Sequence, residues 1–313
     1  MANLLQKSML WQQRREFSLV DNMRVGGDDL ESQEFRDFLL RVGDGSENIA
    51  RDGASTDLIN IPQQFVVDGV QPSSLCDAIY PNLDRRRHVE GYSEWLQERV
   101  IVTSDYTGVD LYNSILIAKL STESRIYISE DESDGPLRRN DQNADMPIDF
   151  LNGITLSSLP PHRLELKVGV PVLLIRTINA KEGHCNGSRY VVTGLHTRNI
   201  ECEALSGPKR GKRVLFSKMK FKPNEMADLH FRRTQFPLRP AFAMTSNKVQ
   251  GQTLEKVGIS LVRQFFTHGQ LYVAMSRVKS PHGLSVLCGP HPVTADPEIK
   301  NNNIVFRELL REE

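Results

Sequence analysis

No stretch of this 313-residue chain approaches the ~18 to 20 consecutive apolar residues that span a bilayer, so no membrane partner is expected. The opening segment, MANLLQKSMLWQQRREF, has no apolar core followed by a small-residue cleavage site, which argues against a secretory signal. Its Leu4, Leu5, Leu10 and Trp11 have instead the spacing of a short amphipathic helix. Cysteine is scarce: Cys76, Cys185, Cys202 and Cys288 are scattered, which excludes a disulfide-rich scaffold. Without a Cys-x-x-Cys pair no metal site is expected, and the compartment reads as reducing and intracellular. What remains is ordinary globular composition, 39% hydrophobic and 25% charged, which excludes disorder and fibrous architecture. The length suits two domains at roughly 150 residues each.

A net charge of zero conceals an asymmetry. Residues 1–160 carry 15 Lys and Arg against 27 Asp and Glu, a net of −12, whereas residues 161–290 carry 21 against 7, a net of +14. Such a split suggests that the second half meets a polyanion; the alternative is that the two halves attract one another.

Along the chain, ESQEFRDFLLRV (31–42) places Phe35, Phe38, Leu39 and Val42 at helical spacing before a Gly-Asp-Gly stop. DLINIPQQFVV (57–67) reads as an edge strand interrupted by Pro62, and SSLCDAIYP (73–81) as a short helix. RVIVTSDY (99–106) is a strand running into a polar turn, VDLYNSILIAKL (109–120) a helix, and RIYISEDES (125–133) a strand ending in acids. Residues 131–149 read as a linker or exposed loop. Short β-rich runs divided by Gly, Asn and Pro then fill 163–222, the pattern of a small antiparallel barrel with Lys209, Arg210, Lys212, Arg213, Lys218, Lys220 and Lys222 on its outside. Afterwards the β-α-β alternation returns, so the barrel reads as an insertion into an α/β domain.

FAMTSNKVQGQTL (242–254) fits a strand end followed by a helix start, where ligands gather in open α/β sheets. The hydroxyls of Thr245 and Ser246 and the ammonium of Lys248 suit phosphate oxygens, and Gly251 permits close backbone approach. A capped helix beside a polar loop is the plainer reading of this stretch alone. In GQLYVAMSRVKS (269–280), Leu271, Val273, Ala274 and Val278 offer a buried face, leaving Arg277 beside apolar packing where a fixed guanidinium can meet a polyphosphate.

Together these two segments resemble motifs five and six of superfamily-one helicases, closest to the Pif-one family and its Helitron-transposon relatives. LVDNMRV (19–25), LLRVGDG (39–45), RVIVTSDYTGVDLYN (99–113), FLNGITLSSLPPHRLELKVGVPVLLIRTINAKEGHCNGSRYVV (150–192) and FPLRPAFAMTSNKVQGQTLEKVGISL (236–261) extend the resemblance over nearly the whole chain. It implies an α/β fold with a second RecA-like parallel-sheet domain interrupted by a small antiparallel β-barrel insertion. The expected boundaries are 1–149 for the first part of that domain with its linker, 150–235 for the barrel and 236–313 for the last part. By the same resemblance, Arg277 and Arg24 reach the γ-phosphate of ATP, Gly251 and Gln252 sense the nucleotide, and Thr245, Lys248 and Thr103 contact the phosphates of single-stranded DNA. The implied activity is ATP-dependent 5′-to-3′ DNA unwinding in repair, recombination or replication, or in rolling-circle transposition, with residence in the nucleus.

Two parts of the family pattern do not occur in these residues. The phosphate cradle G-x-x-x-x-G-K-[ST] is absent, GPKRGKR (207–213) having the wrong spacing, and no apolar strand ends in an Asp-Glu pair to hold Mg. A first RecA-like domain, in cis or in trans, is therefore expected to supply ATP with most of its Mg ligands, leaving this chain alone without turnover. The departures TSDYTG and LLIRTIN bear on Thr103 and the barrel. The alternatives are a non-catalytic single-strand-binding module, or a decayed partial copy. No base-stacking aromatic stands out, and Tyr106, Tyr190 and Phe266 read as core.

Overall fold

The computed structural model describes residues 24–27, 29–51, 54–133, 147–223, 231–289 and 300–306, with residues 9, 13 and 15 singly. The N-terminal amphipathic stretch and most of the 131–149 linker lie outside the described residues. The chain divides into two compact units, one of Met1–Leu75, Val102–Asp105 and Thr245–Glu313, the other of Cys76–Ile101 and Tyr106–Met244.

In the first unit the helix Leu30–Asp44 begins at Asp29, whose carboxylate accepts from the backbone N–H of Ser32 at 2.9 Å and from its hydroxyl at 3.0 Å. Those bonds hold the Asp29 carboxyl below its usual pKa. Gly45 ends the helix in the left-handed conformation, φ 80°. Phe35, Phe38, Leu39 and Val42 are all buried, as their spacing predicts, and the two Phe rings meet Phe65 at 5.6 and 5.8 Å between centroids. Pro62 acts as a stop. The strand Leu58–Asn60, antiparallel to Lys300–Asn302, ends before it, and a 3-10 turn Gln63–Phe65 follows. Strand Lys256–Ser260 pairs in parallel with Leu284–Leu287, and Val66 bridges Val286, also in parallel. Val257, Ile259 and Val286 are fully buried, as parallel strands covered on both faces require.

The second unit is mostly antiparallel. Five strands lie in the order Arg213–Ser217, Asn199–Ala204, Arg189–Leu195, Pro171–Leu174, Leu238–Pro240, with a bulge at Glu201/Cys202. Met219–Phe221, Phe231–Gln235 and Glu130–Ser133 form a three-stranded sheet, and Ser124–Ile128 pairs with Arg163–Lys167. A cluster of Leu151, Leu159, Ile175, Phe221 and Phe231 fills its interior. The acid-ended run 125–133 is thus two strands in different sheets. The break falls at Ser129, whose hydroxyl donates to the Asp131 carboxylate at 2.8 Å and sits 2.8 Å from His162 Nδ1.

The second unit takes in more than its antiparallel strands. Arg189, 4% exposed, donates to the carbonyls of Leu96, Gln97, Arg99 and Ala241, so residues 96–99 and 241 close on the antiparallel core. Asn113 on the helix Tyr106–Ala118 accepts from the N–H groups of Phe242 and Ala243 and donates to the carbonyls of Pro240 and Ala243. Desolvation lowers the Arg189 pKa, and the ring of carbonyl dipoles is what makes the charge tolerable.

Charge opposes charge within this unit. Lys218 lies 3.4 Å from Glu130, Lys220 3.8 Å from Glu132 and Arg210 3.1 Å from Glu94, all partly exposed. Arg233 and Asp131 pair at 2.8 Å with no side-chain exposure on either partner, and Arg233 also donates to the carbonyls of Leu151, Ile154 and Pro160. Part of the basic excess of residues 161–290 is therefore met by acids of the first half.

Candidate functional site

Arg24 and Arg277 come together in the first unit. The helix Leu30–Asp44 approaches the helix Gln270–Met275 where Gly43 faces Tyr272; a Cβ at Gly43 would stand 3.0 Å from that ring. Arg36, on the first helix, donates to the carbonyls of Val25 and Gly27, and so holds the segment that carries Arg24. Arg24 then donates from Nε to Thr253 Oγ1 at 3.2 Å and from Nη1 to the Ser276 carbonyl at 2.9 Å.

Arg277 follows the C-terminal end of its short helix. Its Nε donates to the Val273 carbonyl at 2.7 Å and its Nη2 to the Ser276 hydroxyl at 2.7 Å. At 7% exposure it has no acidic partner among the described residues. Burial lowers its pKa, and the nearby Arg24 guanidinium lowers it further. Two guanidiniums held beside each other raise the local potential, which a bound polyanion relieves.

The backbone ties this pair to the Gly251–Gln252 turn. Leu254 N–H donates to the Arg277 carbonyl at 2.9 Å and Lys279 N–H to the Leu254 carbonyl at 3.1 Å, a parallel bridge between Leu254 and Val278. Gln252 donates from Nε2 to the Lys248 carbonyl at 3.0 Å, closing the turn on the helix Ser246–Val249. Gly251 has φ 82°, and a Cβ placed on it would meet nothing within 4 Å. Its glycine answers a left-handed backbone, and among the described residues no close approach to it is seen.

Other predicted residues sit differently. The helix opening at Ser246 is four residues long, which leaves little macrodipole, and the Thr245 side chain makes no capping bond. Ser246 is 1% exposed, so its hydroxyl faces the interior; Thr245 and Lys248 are half-buried at the surface. Thr103 is 2% exposed and its hydroxyl donates to the Asp105 carbonyl at 2.9 Å, shaping the turn after its strand. Of the aromatics, Tyr190 is core at 1% exposure, Tyr106 is half-buried and Phe266 is 62% exposed, unlike its predicted place. Sequence reasoning missed Thr253 and assigned Ser276 no role; the hydroxyl and carbonyl donors and acceptors next to Gln252 and Arg277 were the available signal. Among the described residues no group of three His, Cys, Asp or Glu side chains stands where it could hold a metal, and no helix is long and apolar enough to cross a membrane.

This combination of a parallel α/β sheet and antiparallel sheets has its counterpart among known helicase structures. Residues 149–195 match the family model of the DNA helicase Pif1 2B domain. The chain is 36% identical over 158 residues to the ATP-dependent DNA helicase PIF1 of Danio rerio, covering 48% of this chain and 23% of that protein. It is likewise 36% identical over 141 residues to PIF1 of Homo sapiens, covering 44% and 21%. The crystal structure of the Candida albicans Pif1 helicase has the same fold, with a TM-score of 0.59 at 22% identity over 97% of this chain and 62% of that one. The chain is thus similar in sequence to a part of the Pif1 helicases and shares their fold. The chain spans less than a quarter of the length of these two curated relatives.

Proposed function

We propose that this chain forms the nucleotide-sensing and strand-handling part of an ATP-dependent 5′-to-3′ DNA helicase, acting with a first RecA-like domain that holds the triphosphate and its Mg. The antiparallel sheets around residues 150–235 serve as the barrel-type module that guides the strand. The observation that carries the reading is the convergence of Arg24 and Arg277 on Ser276, beside the Gly251–Gln252 turn.

The residues fit a polyphosphate better than they fit a metal. Two adjacent guanidiniums offer planar donor edges to phosphoryl oxygens, whereas no carboxylate cluster stands near them among the described residues. ATP supplies the phosphoryl group when bound. Arg277 and Arg24 donate to the oxygens on which negative charge accumulates, and their backbone anchors keep them in place before the nucleotide arrives. Gln252, linked through Leu254 to the Arg277 backbone, transmits occupancy to the turn that ends at Lys248. Thr245 and Lys248 then face the phosphates of single-stranded DNA, with Thr103 setting the shape of its own turn. Repair, recombination or replication, and residence in the nucleus, belong to the same proposal and rest on the resemblance.

The test is ATP turnover in a two-domain protein in which a cradle-bearing RecA-like domain precedes residue 1. Arg277→Ala there should lower DNA-stimulated turnover by about 10³-fold or more while DNA affinity stays within a factor of two or three. Turnover that survives the substitution removes Arg277 from the chemistry.

A further inference from the structure

At the rim of the five-stranded sheet, the strand Arg213–Ser217 pairs on one side alone among the described residues, antiparallel to Asn199–Ala204. Ala204 N–H donates to the Lys212 carbonyl at 3.0 Å, and an antiparallel ladder alternates from there, so Val214 and Phe216 turn their peptide groups toward Cys202 and Ile200. The peptide groups of Arg213, Leu215 and Ser217 point away from the sheet, and among the described residues no hydrogen bond reaches them from that side. Phe216, 2% exposed, packs edge-on against Tyr190 at 5.0 Å between ring centroids and anchors the strand, while Leu215 beside it is 62% exposed. The bulge at Glu201/Cys202 lies between the next two strands, so the rim itself is regular. A regular open rim carrying an exposed leucine is a template for another extended chain.

Charge decides which chain. From Ala204 to Asn224 the sequence holds seven cations and no acid. Arg210 reaches Glu94 at 3.1 Å, Arg213 reaches Glu201 at 3.1 Å and Lys218 reaches Glu130 at 3.4 Å, all through partly exposed side chains, and pairs of that kind contribute little. Two copies of this rim paired antiparallel about Leu215 would set Lys212 against Lys218 and Arg210 against Lys220, like charges directly opposite one another. The cations that repel a second copy attract an acidic segment.

We infer that the rim strand Arg213–Ser217 takes an extended acidic segment of a partner protein as a sixth strand of this sheet. Ladder bonds to the peptide groups of Arg213, Leu215 and Ser217 supply the affinity. An apolar side chain against Leu215 and carboxylates within reach of Lys212 and Arg213 supply the selection. The surface lies wholly in the second unit, goes beyond the helicase reading and stands without it.

A labelled seven-residue peptide, with a central valine flanked by threonines and two glutamates at its C-terminal end, tests this against the whole chain. In the antiparallel register those glutamates fall opposite Arg213 and Lys212. Binding should saturate below about 1 mM, and glutamine in place of both glutamates should weaken it about fivefold. Lys212→Glu/Arg213→Glu should lose the glutamate peptide by about tenfold and bind the matching lysine peptide as the natural chain binds the acidic one. Leu215→Pro removes one outward N–H and leaves the bonds to Cys202 and Ile200 in place, so it should abolish binding. Thermal unfolding checks that each variant is folded, and the charge-reversed pair decides if the proline variant is not. At nine-tenths occupancy by peptide, the amides of Arg213, Leu215 and Ser217 should exchange about tenfold more slowly with deuterium, while those of Val214 and Phe216 stay as they were. No saturable binding, binding that leaves those three amides unprotected, or a charge-reversed variant that keeps the glutamate peptide overturns the proposal. So does a rim that ignores the peptide yet binds oligothymidylate through Lys212 and Arg213, which assigns these cations to nucleic acid.

Discussion

Arg24 and Arg277 share one serine: across 252 residues of sequence Arg24 donates to the Ser276 carbonyl, while Arg277 donates to the Ser276 hydroxyl. Ser276→Ala removes only the second bond. In the two-domain protein it should lower turnover by about 5- to 30-fold, the cost of one hydrogen bond to a charged group at about 1–2 kcal/mol, with DNA affinity unchanged. Arg277→Lys should not restore turnover lost in Arg277→Ala, because an ammonium cannot present two parallel N–H groups. Steady-state kinetics at saturating DNA decide both.

Gly251→Ala tests the left-handed turn. With φ 82° and open space around the missing Cβ, the penalty is conformational, so the variant should lose about 1 kcal/mol of stability in urea unfolding. Gly251→Asn should lose less, since Asn tolerates this region better. Equal stability of all three proteins would show that the turn relaxes.

The buried Arg233–Asp131 pair should behave asymmetrically. Arg233→Met leaves a carboxylate unpaired in the interior and should cost about 3–5 kcal/mol, as should Asp131→Asn. The combined Arg233→Met/Asp131→Leu protein should recover much of the loss, although the carbonyls of Leu151, Ile154 and Pro160 then go without their donor. A double-mutant cycle by chemical denaturation reads the coupling.

Thiol chemistry should single out Cys185. Cys76 and Cys202 are fully buried and Cys288 nearly so, whereas Cys185 is half-buried near the surface. Burial pushes the Cys76 thiol up to about 12 and raises those of Cys202 and Cys288. A disulfide reagent at pH 8 should therefore modify one thiol quickly and three only on unfolding. The sign for stability follows. Above about pH 9 the unfolded chain releases the Cys76 proton while the folded chain keeps it, so stability falls between pH 9 and 12 by up to about 1.4 kcal/mol per pH unit for that thiol.

Much of the fold was legible wherever periodicity and punctuation agree. Phe35, Phe38, Leu39 and Val42 repeat every three to four residues ahead of a Gly-Asp-Gly stop, and the helix lies where they place it. The antiparallel runs between 163 and 222 follow their Gly, Asn and Pro dividers. What failed were features set by distant partners. Nothing local in RIYISEDES reveals that Ser129 turns toward His162, nor in SRYVV that Arg189 gathers four carbonyls from elsewhere. At the site the same division holds. The glycine and the arginines are visible as residue types, but Thr253 enters only because Arg24 reaches it across the sequence.

The Leu254–Val278 bridge joins two short loops by their peptide groups, flanked by the exposed Lys279–Glu255 ion pair. Amides pinned in this manner exchange with deuterium only when both loops part together. A tug on either guanidinium is accordingly felt by its companion turn within one rigid displacement, and a single slow-exchanging pair of protons, on Leu254 and Lys279, would register it.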